Sequence, residues 1–121
     1  MGLNVAILGA SDDESRYSNM ALHLLQSYKH QAYPIHPKLT EISGIPVFKD
    51  LSSLPEKIHT LTVYVRPELS TPLKDQILKL KPERVIFNPG TENPELAEEL
   101  YQQGIHTEDA CTLVLLRTGQ F

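Results

Sequence analysis

The chain has 121 residues, 40% hydrophobic and 21% charged, the size and balance of a single ordinary globular domain, spanning 1–121, that buries its own core without a metal or disulfide staple. Against 11 Lys plus Arg stand 15 Asp plus Glu, a net charge of −4, which argues against general nucleic-acid binding, because neutralising phosphates needs a basic face. The lone Cys111 makes neither an internal disulfide nor a zinc site, no apolar run approaches the roughly 20 residues that span a bilayer, and the front of the chain does not read as a secretory signal; the expectation is a cytoplasmic protein.

In chain order, Leu3 to Leu8 is a nearly continuous apolar run ending at Gly9, the pattern of a strand buried on both faces. Met20, Ala21, Leu24, Leu25 and Tyr28 recur at helical spacing and predict a helix from about Ser18 to Lys29. Ala32 to Ile35 reads as a second strand stopped by Pro37, and Pro46-Val47-Phe48 as a brief third. Leu61 to Val65 is the next, rich in β-branched and aromatic residues. Leu69, Leu73, Ile77 and Leu80 mark one helix face closed by Pro82, and Arg84 to Phe87 is a strand broken by Asn88-Pro89-Gly90. A helix follows from about Asn93 to Gln103, with Gly104 just past its end, then a short strand from Ile105 to Thr107. Leu113 to Leu116 reads as an edge strand or a contact segment.

Strands alternating with helices predict an α/β domain: a Rossmann-like, open, mostly parallel sheet with helices on both faces. The first strand is placed centrally, strands two and three on one side and the later ones on the other, so a ligand site falls outside the carboxyl ends of the strands, where the order reverses. That rule selects the loops Gly9 to Ser18, His36 to Lys38, Val65 to Pro67 and Asn88 to Gly90.

Gly9-Ala10-Ser11 permits a sharp turn and close approach of a ligand, Ser11 adds a hydroxyl, and the following helix start offers unpaired amides and a positive dipole end, together an anion cradle. Arg16 is suited to fork onto a phosphate, and Ser18 to cap the helix or donate to the ligand. Asp12, Asp13 and Glu14 fit such a cradle only as a solvated crest. The G-x-G-x-x-G fingerprint is absent, since positions 9, 11 and 14 hold Gly, Ser and Glu, which disfavours an NAD(P)-dependent enzyme. His36 and Lys38 stand where many nucleotide folds handle the ribose, and suit a phosphate there better than a free 2′-hydroxyl. Val65, Arg66 and Pro67 face the first loop as an apolar wall with one cation. The histidines His23, His30, His36, His59 and His106 show no metal-ligand spacing, and neither a nucleophile elbow nor a Walker loop is present. No catalytic or metal residues are assigned; the sequence reads as a binder.

Gly9-Ala10-Ser11 with Arg16-Tyr17-Ser18, Tyr33 to Lys38, Glu41-Ile42-x-Gly44-Ile45-Pro46-Val47-Phe48, Leu51-x-x-Leu54-Pro55, Arg66-Pro67-Glu68, Asn88-x-Gly90 and Asp109-x-Cys111 together resemble the small CoA-binding-domain proteins of bacteria, themselves similar to the N-terminal domain of the succinyl-CoA synthetase α subunit. The resemblance covers almost the whole chain. It implies binding of coenzyme A or an acyl-CoA, with Gly9, Ala10, Ser11, Arg16 and Ser18 at phosphate, His36 and Lys38 near the nucleotide end, and Val65, Arg66, Pro67, Asn88 and Gly90 along the crevice. The chain departs from the family pattern at His36 (usually Asn), Ile86 (usually Trp), Asn88 (usually Gln) and Ala110 (usually Arg). An alternative is an interaction module that kept the fold and lost the ligand, dimerising through its apolar Leu113–Leu116 tail.

Overall fold

Period-two alternation in the first strand sorts its side chains onto two cores. The computed structural model describes residues 2–121, and in β1 (Asn4–Leu8) Ala6 and Leu8 face one apolar layer while Val5 and Ile7 face another. This is why the run reads as continuously apolar. Helix α1 (Tyr17–Ser27) returns the chain to β2 (Gln31–Ile35), which pairs parallel with β1 from Asn4↔Gln31 to Leu8↔Ile35.

The segment expected as a third strand is instead a small antiparallel hairpin, β3 (Glu41–Ile42) with β4 (Ile45–Pro46). What survives of the expected pairing is one parallel bridge between Phe48 and Ile35 on the outer edge of β2. Pro34 N lies within β2 and Pro46 within the hairpin, so neither can donate to a longer ladder.

β5 (Thr60–Val63) lies on the other side of β1, followed outward by β6 (Arg84–Phe87) and β7 (His106–Asp109), all parallel. The main sheet is five-stranded in the order β2-β1-β5-β6-β7: an α/β Rossmann-like fold with β1 inside and the order reversing between β1 and β5. The edge strand β7 carries His106, Glu108 and Asp109, charged or polar groups that discourage further pairing.

The helix expected along Leu69 to Leu80 is broken by Pro72 into α2 (Pro67–Ser70), a single 3-10 turn (Thr71–Leu73) and α3 (Lys74–Leu80). Ile77 reaches the core as its spacing suggests, but Leu69, ahead of the break, is 53% exposed. α4 (Pro94–Gln102) begins at the expected place because Asn93 caps it: Oδ1 accepts from Leu96 N at 3.2 Å, and Nδ2 donates to Ser70 Oγ and Thr71 Oγ1 at 3.0 and 2.8 Å. α3 and α4 cover one face of the sheet, α1 the other.

Leu113 to Leu116 is not an edge strand. It lies in α5 (Thr112–Arg117), which packs on α1 and buries Leu113 and Leu116 while leaving Val114 outward. The apolar tail is used within the chain. Among the described residues no helix is long and apolar enough to cross a membrane.

Candidate functional site

At the carboxyl ends of β1 and β5, where the strand order reverses, the chain leaves an open cleft of about 800 Å3. That lies within the range of small-molecule sites, about 300–1,000 Å3. One side is the loop from Gly9 into α1; the others are the loop after β2, the end of β5 with the start of α2, and the turn after β6.

Gly9 makes the turn out of β1 with φ +89°, and a Cβ there would lie 2.7 Å from Val65 Cγ1 and 3.2 Å from the Tyr64 carbonyl carbon. The position needs a glycine both for its backbone and for its closeness to the neighbouring strand. Ala10 N donates to Ile35 O at 3.1 Å, which ties this turn to the end of β2. The loop is then shaped by its own side chains. Ser11 Oγ accepts from Asp13 N at 3.0 Å, leaving the hydroxyl hydrogen to donate elsewhere. Asp13 borders the cleft, not merely the solvent crest, and its Oδ1 accepts from Ser15 N and Oγ at 2.9 and 2.7 Å. Those hydrogen bonds hold its carboxyl below the usual range. Its charge is therefore engaged locally.

The N-cap of α1 is Arg16, not Ser18, and no side chain caps it. Asn19 N and Met20 N bond back to Arg16 O, while Tyr17 N and Ser18 N find no partner among the described residues. Two free amides at the positive end of an 11-residue helix thus stand at the cleft. Ser18 is buried and lines it. Asn19, buried beside it, was not singled out from the sequence; its Nδ2 donates to Ser11 O at 3.0 Å and fixes the loop against the helix. A polar residue on the packed face of a helix, between Ser18 and Ala21, is the signal that marks it.

Arg16 and Arg66 reach in from opposite sides, each largely exposed and each near an acid on its own segment: Arg16 Nε lies 4.0 Å from Asp13 Oδ2, and Arg66 Nε 3.6 Å from Glu68 Oε2. Exposed pairs of this kind contribute little, roughly 0–1 kcal/mol, so the guanidinium groups are free to turn to another anion. Asn88-Pro89-Gly90-Thr91 is a turn closed by Thr91 N donating to Asn88 O at 2.9 Å, with Gly90 at φ +89° in the place such a turn reserves for glycine. Gly90 N itself donates to Glu92 Oε1 at 3.0 Å.

Of the residues selected from sequence, the structure brings Gly9, Ala10, Ser11, Arg16, Ser18, His36, Val65, Arg66 and Gly90 together on the cleft. Lys38, Pro67 and Asn88 do not line it. Lys38 is exposed on the loop after β2, and Pro67 opens α2. Asn88 is buried behind the wall: Nδ2 donates to Thr62 Oγ1 at 2.7 Å and Val63 O at 2.9 Å, and Oδ1 accepts from Thr112 N at 2.9 Å. It holds β5, β6 and α5 together. Tyr17, Tyr64, Leu69 and Thr91 also border the cleft and were not singled out. Helical and strand periodicity assigns Tyr64 and Leu69 to packing, and only the loop geometry turns them to the opening. Cys111, half-buried, is the N-cap residue of α5 and stands off the cleft.

The hydroxyl of Tyr64 is buried without a partner. Burial pushes the phenol from its ordinary 10.0 up to about 12, against a partial pull from the nearby Thr112 and Thr62 hydroxyls, which stand outside hydrogen-bonding geometry. Stability conferred by the protonated phenol is complete below about pH 10 and is lost as pH rises towards 12. Tyr64→Phe is expected to leave the free energy of urea unfolding at neutral pH unchanged or raised by up to about 1 kcal/mol, and to flatten the alkaline decline. A loss above that size at neutral pH would mean the hydroxyl is bonded.

A parallel sheet with its cleft at the reversal of strand order, walled by a glycine turn and a helix N-terminus, defines a Rossmann-like class of α/β domain. The chain belongs to the CoA binding domain family, whose sequence profile matches residues 4–117. It is 35% identical over 69 residues to an ADP-forming acetate–CoA ligase of Methanocaldococcus jannaschii, covering 57% of this chain and 10% of that protein. It is 29% identical over 65 residues to acetate–CoA ligase I (ADP-forming) of Archaeoglobus fulgidus, covering 54% and 10%. The chain thus spans about a tenth of the length of these curated relatives. A crystal structure of an uncharacterized protein superposes with a TM-score of 0.93 at 39% identity, covering 100% of this chain and 99% of that one.

Proposed function

We propose that this protein binds coenzyme A or an acyl-CoA in the cleft and performs no chemistry on it by itself. The observation that carries this reading is the pair of unbonded amides, Tyr17 N and Ser18 N, at an open cleft between two exposed cations, Arg16 and Arg66, in a chain of the CoA binding domain family. Gly9, Ala10 and Ser11 admit the pyrophosphate to those amides, and the Ser11 hydroxyl and Arg16 complete its shell. His36 takes the nucleotide end, with Lys38 on the exposed loop beyond the cleft. Val65, Arg66 and Gly90 flank the remaining arm, Pro67 opens α2 behind Arg66, and Asn88 supports that wall from behind.

Ser11 Oγ is engaged with a backbone amide and not with a base.

Isothermal titration with CoA, dephospho-CoA and NAD tests the proposal. CoA is expected to bind, more tightly than dephospho-CoA if a cation meets the 3′-phosphate; no heat with any of them up to millimolar ligand ends it. Arg16→Ala and Arg66→Ala are each expected to weaken CoA about tenfold, the size of a charge-assisted hydrogen bond, and high salt should shrink both effects. Salt-independent losses would assign the arginines to packing.

A further inference from the structure

At the amino ends of the strands, opposite the cleft, residues 118–121 fold back over the sheet. α5 ends in a Schellman turn: Gly119 N donates to Leu116 O at 3.3 Å and Gln120 N to Leu115 O at 2.8 Å, with Gly119 at φ +72°. That turn carries the half-buried Phe121 to the start of the sheet, where its ring meets two side chains. The Arg84 guanidinium lies over it, with Cζ 4.4 Å from the ring centroid, and the His30 imidazole packs against it at 5.1 Å, tilted by 60°. Arg84 Nη1 also donates to Phe121 O at 3.4 Å, and Arg84 Nε to Thr60 Oγ1 at 3.1 Å. His30 Nδ1 in turn accepts from Leu3 N at 3.0 Å. Through one aromatic ring, the residues leading into β1 and β2 are joined to the first residues of β5 and β6.

We propose that His30, Arg84 and Phe121 form an acid-released clasp: the neutral imidazole holds Leu3 and seats Phe121, and the imidazolium drops both and frees the segment after Gly119. An imidazole nitrogen that accepts a hydrogen bond carries no hydrogen, so the ring that holds Leu3 is the neutral form. On protonation Nδ1–H faces Leu3 N–H, donor against donor, and a second positive charge comes up to the Arg84 guanidinium. Burial first, then the charges of Arg84 and the amino terminus, hold the imidazole below its ordinary 6.5. A group depressed in this way gives stability that is whole above about pH 6.5 and is lost as pH falls through the lowered value. The other charged and titratable groups at this end are Lys29 beside His30 in the chain, Glu108, 3.8 Å from Arg84 Nη1 and 3.7 Å from His106 Nε2, and His59, whose Nδ1 is 2.7 Å from Thr60 Oγ1 and whose Nε2 is 4.0 Å from Glu83 Oε1. Glu108 is already engaged with Arg84 and His106, and Arg84 Nη2 is buried with no hydrogen-bond partner among the described residues, so a second cation meets an end of the molecule with little spare negative charge.

NMR of the full chain from about pH 8 to about pH 5 tests the clasp through the His30 ring nitrogens, the Phe121 ring protons and the Leu3 amide, whose exchange is taken relative to its intrinsic rate at each pH. Because His59 and His106 lie at the same end, these signals read His30 and its partners directly. In the wild type the His30 ring should titrate below pH 6.5, with its hydrogen on Nε2 above the midpoint. At the same midpoint the Phe121 signals should move to free-chain values, and Leu3 should lose roughly tenfold of its protection, the size of one hydrogen bond. His30→Asn, whose amide oxygen can accept from Leu3 N and does not titrate, should keep Phe121 seated across the range. Phe121→Ala, which uncovers the imidazole, should raise the His30 midpoint towards 6.5. Phe121 signals that stay in place through the His30 transition, acid release surviving in His30→Asn, a His30 midpoint unmoved by Phe121→Ala, or a tail held more firmly in acid overturns the clasp. No ligand enters any arm, so the outcome is independent of what the cleft binds.

Discussion

Asn88→Ala is expected to destabilise the fold by about 3 kcal/mol, lowering Tm by roughly 10 °C. The side chain joins three elements through buried bonds to Thr62 Oγ1, Val63 O and Thr112 N. Losses are unequal. Val63 O still receives Asn88 N and Thr91 Oγ1, both at 3.3 Å, and Thr62 Oγ1 keeps its 2.8 Å contact with Thr112 Oγ1. Thr112 N, at the first residue of α5 and on a residue with 0% exposure, keeps nothing. An unsatisfied buried amide costs about 1–3 kcal/mol, and the vacated volume adds to it. Asn88→Asp should cost a similar amount, because a carboxylate cannot donate to Val63 O. Urea unfolding of both variants gives the answer; a change under 1 kcal/mol for Asn88→Ala would show that α5 finds another cap.

Gly9→Ala is expected to cost about 2–4 kcal/mol and to weaken CoA binding beyond what the lost stability explains. A residue with a Cβ at φ +89° is strained by roughly 1–2 kcal/mol. Its methyl would also sit 2.7 Å from Val65 Cγ1, a short branched side chain with little room to yield, and such overpacking costs about 1–3 kcal/mol. Relief moves Val65 and Tyr64, both cleft-lining, away from β1. Denaturation and CoA titration on one sample separate the two effects. Unchanged unfolding would mean the turn relaxes freely; reduced stability with unchanged affinity would detach the turn from the site.

Much of the architecture is legible in local pattern. The first strand shows itself because both of its faces are buried, and α4 because Asn93, Pro94 and Gly104 mark its ends. The same reasoning misplaces Leu113 to Leu116, since four apolar residues have no period of their own, and packing of Leu113 and Leu116 on α1 makes them a helix. It runs α2 and α3 together because Pro72 falls on the same face as the spacing it interrupts. At the site, loops marked by Gly and Pro are found from sequence, and nine of the selected residues meet at the cleft.

By itself the sequence determined the alternation of strands and helices, hence the parallel sheet, the reversal beside β1 and the loops gathered at that end, because periodicity and turn chemistry are local properties of the chain. Only the tertiary structure decided which polar residues face the opening and which brace it. Asn88 and Ser18 are equally polar in sequence, yet one ties three elements together from behind and the other lines the cleft. The backbone amides received by His36 Nδ1 and the burial of the Tyr64 hydroxyl were settled there too. A hydrogen bond depends on distances across non-neighbouring segments, which no spacing along the chain encodes.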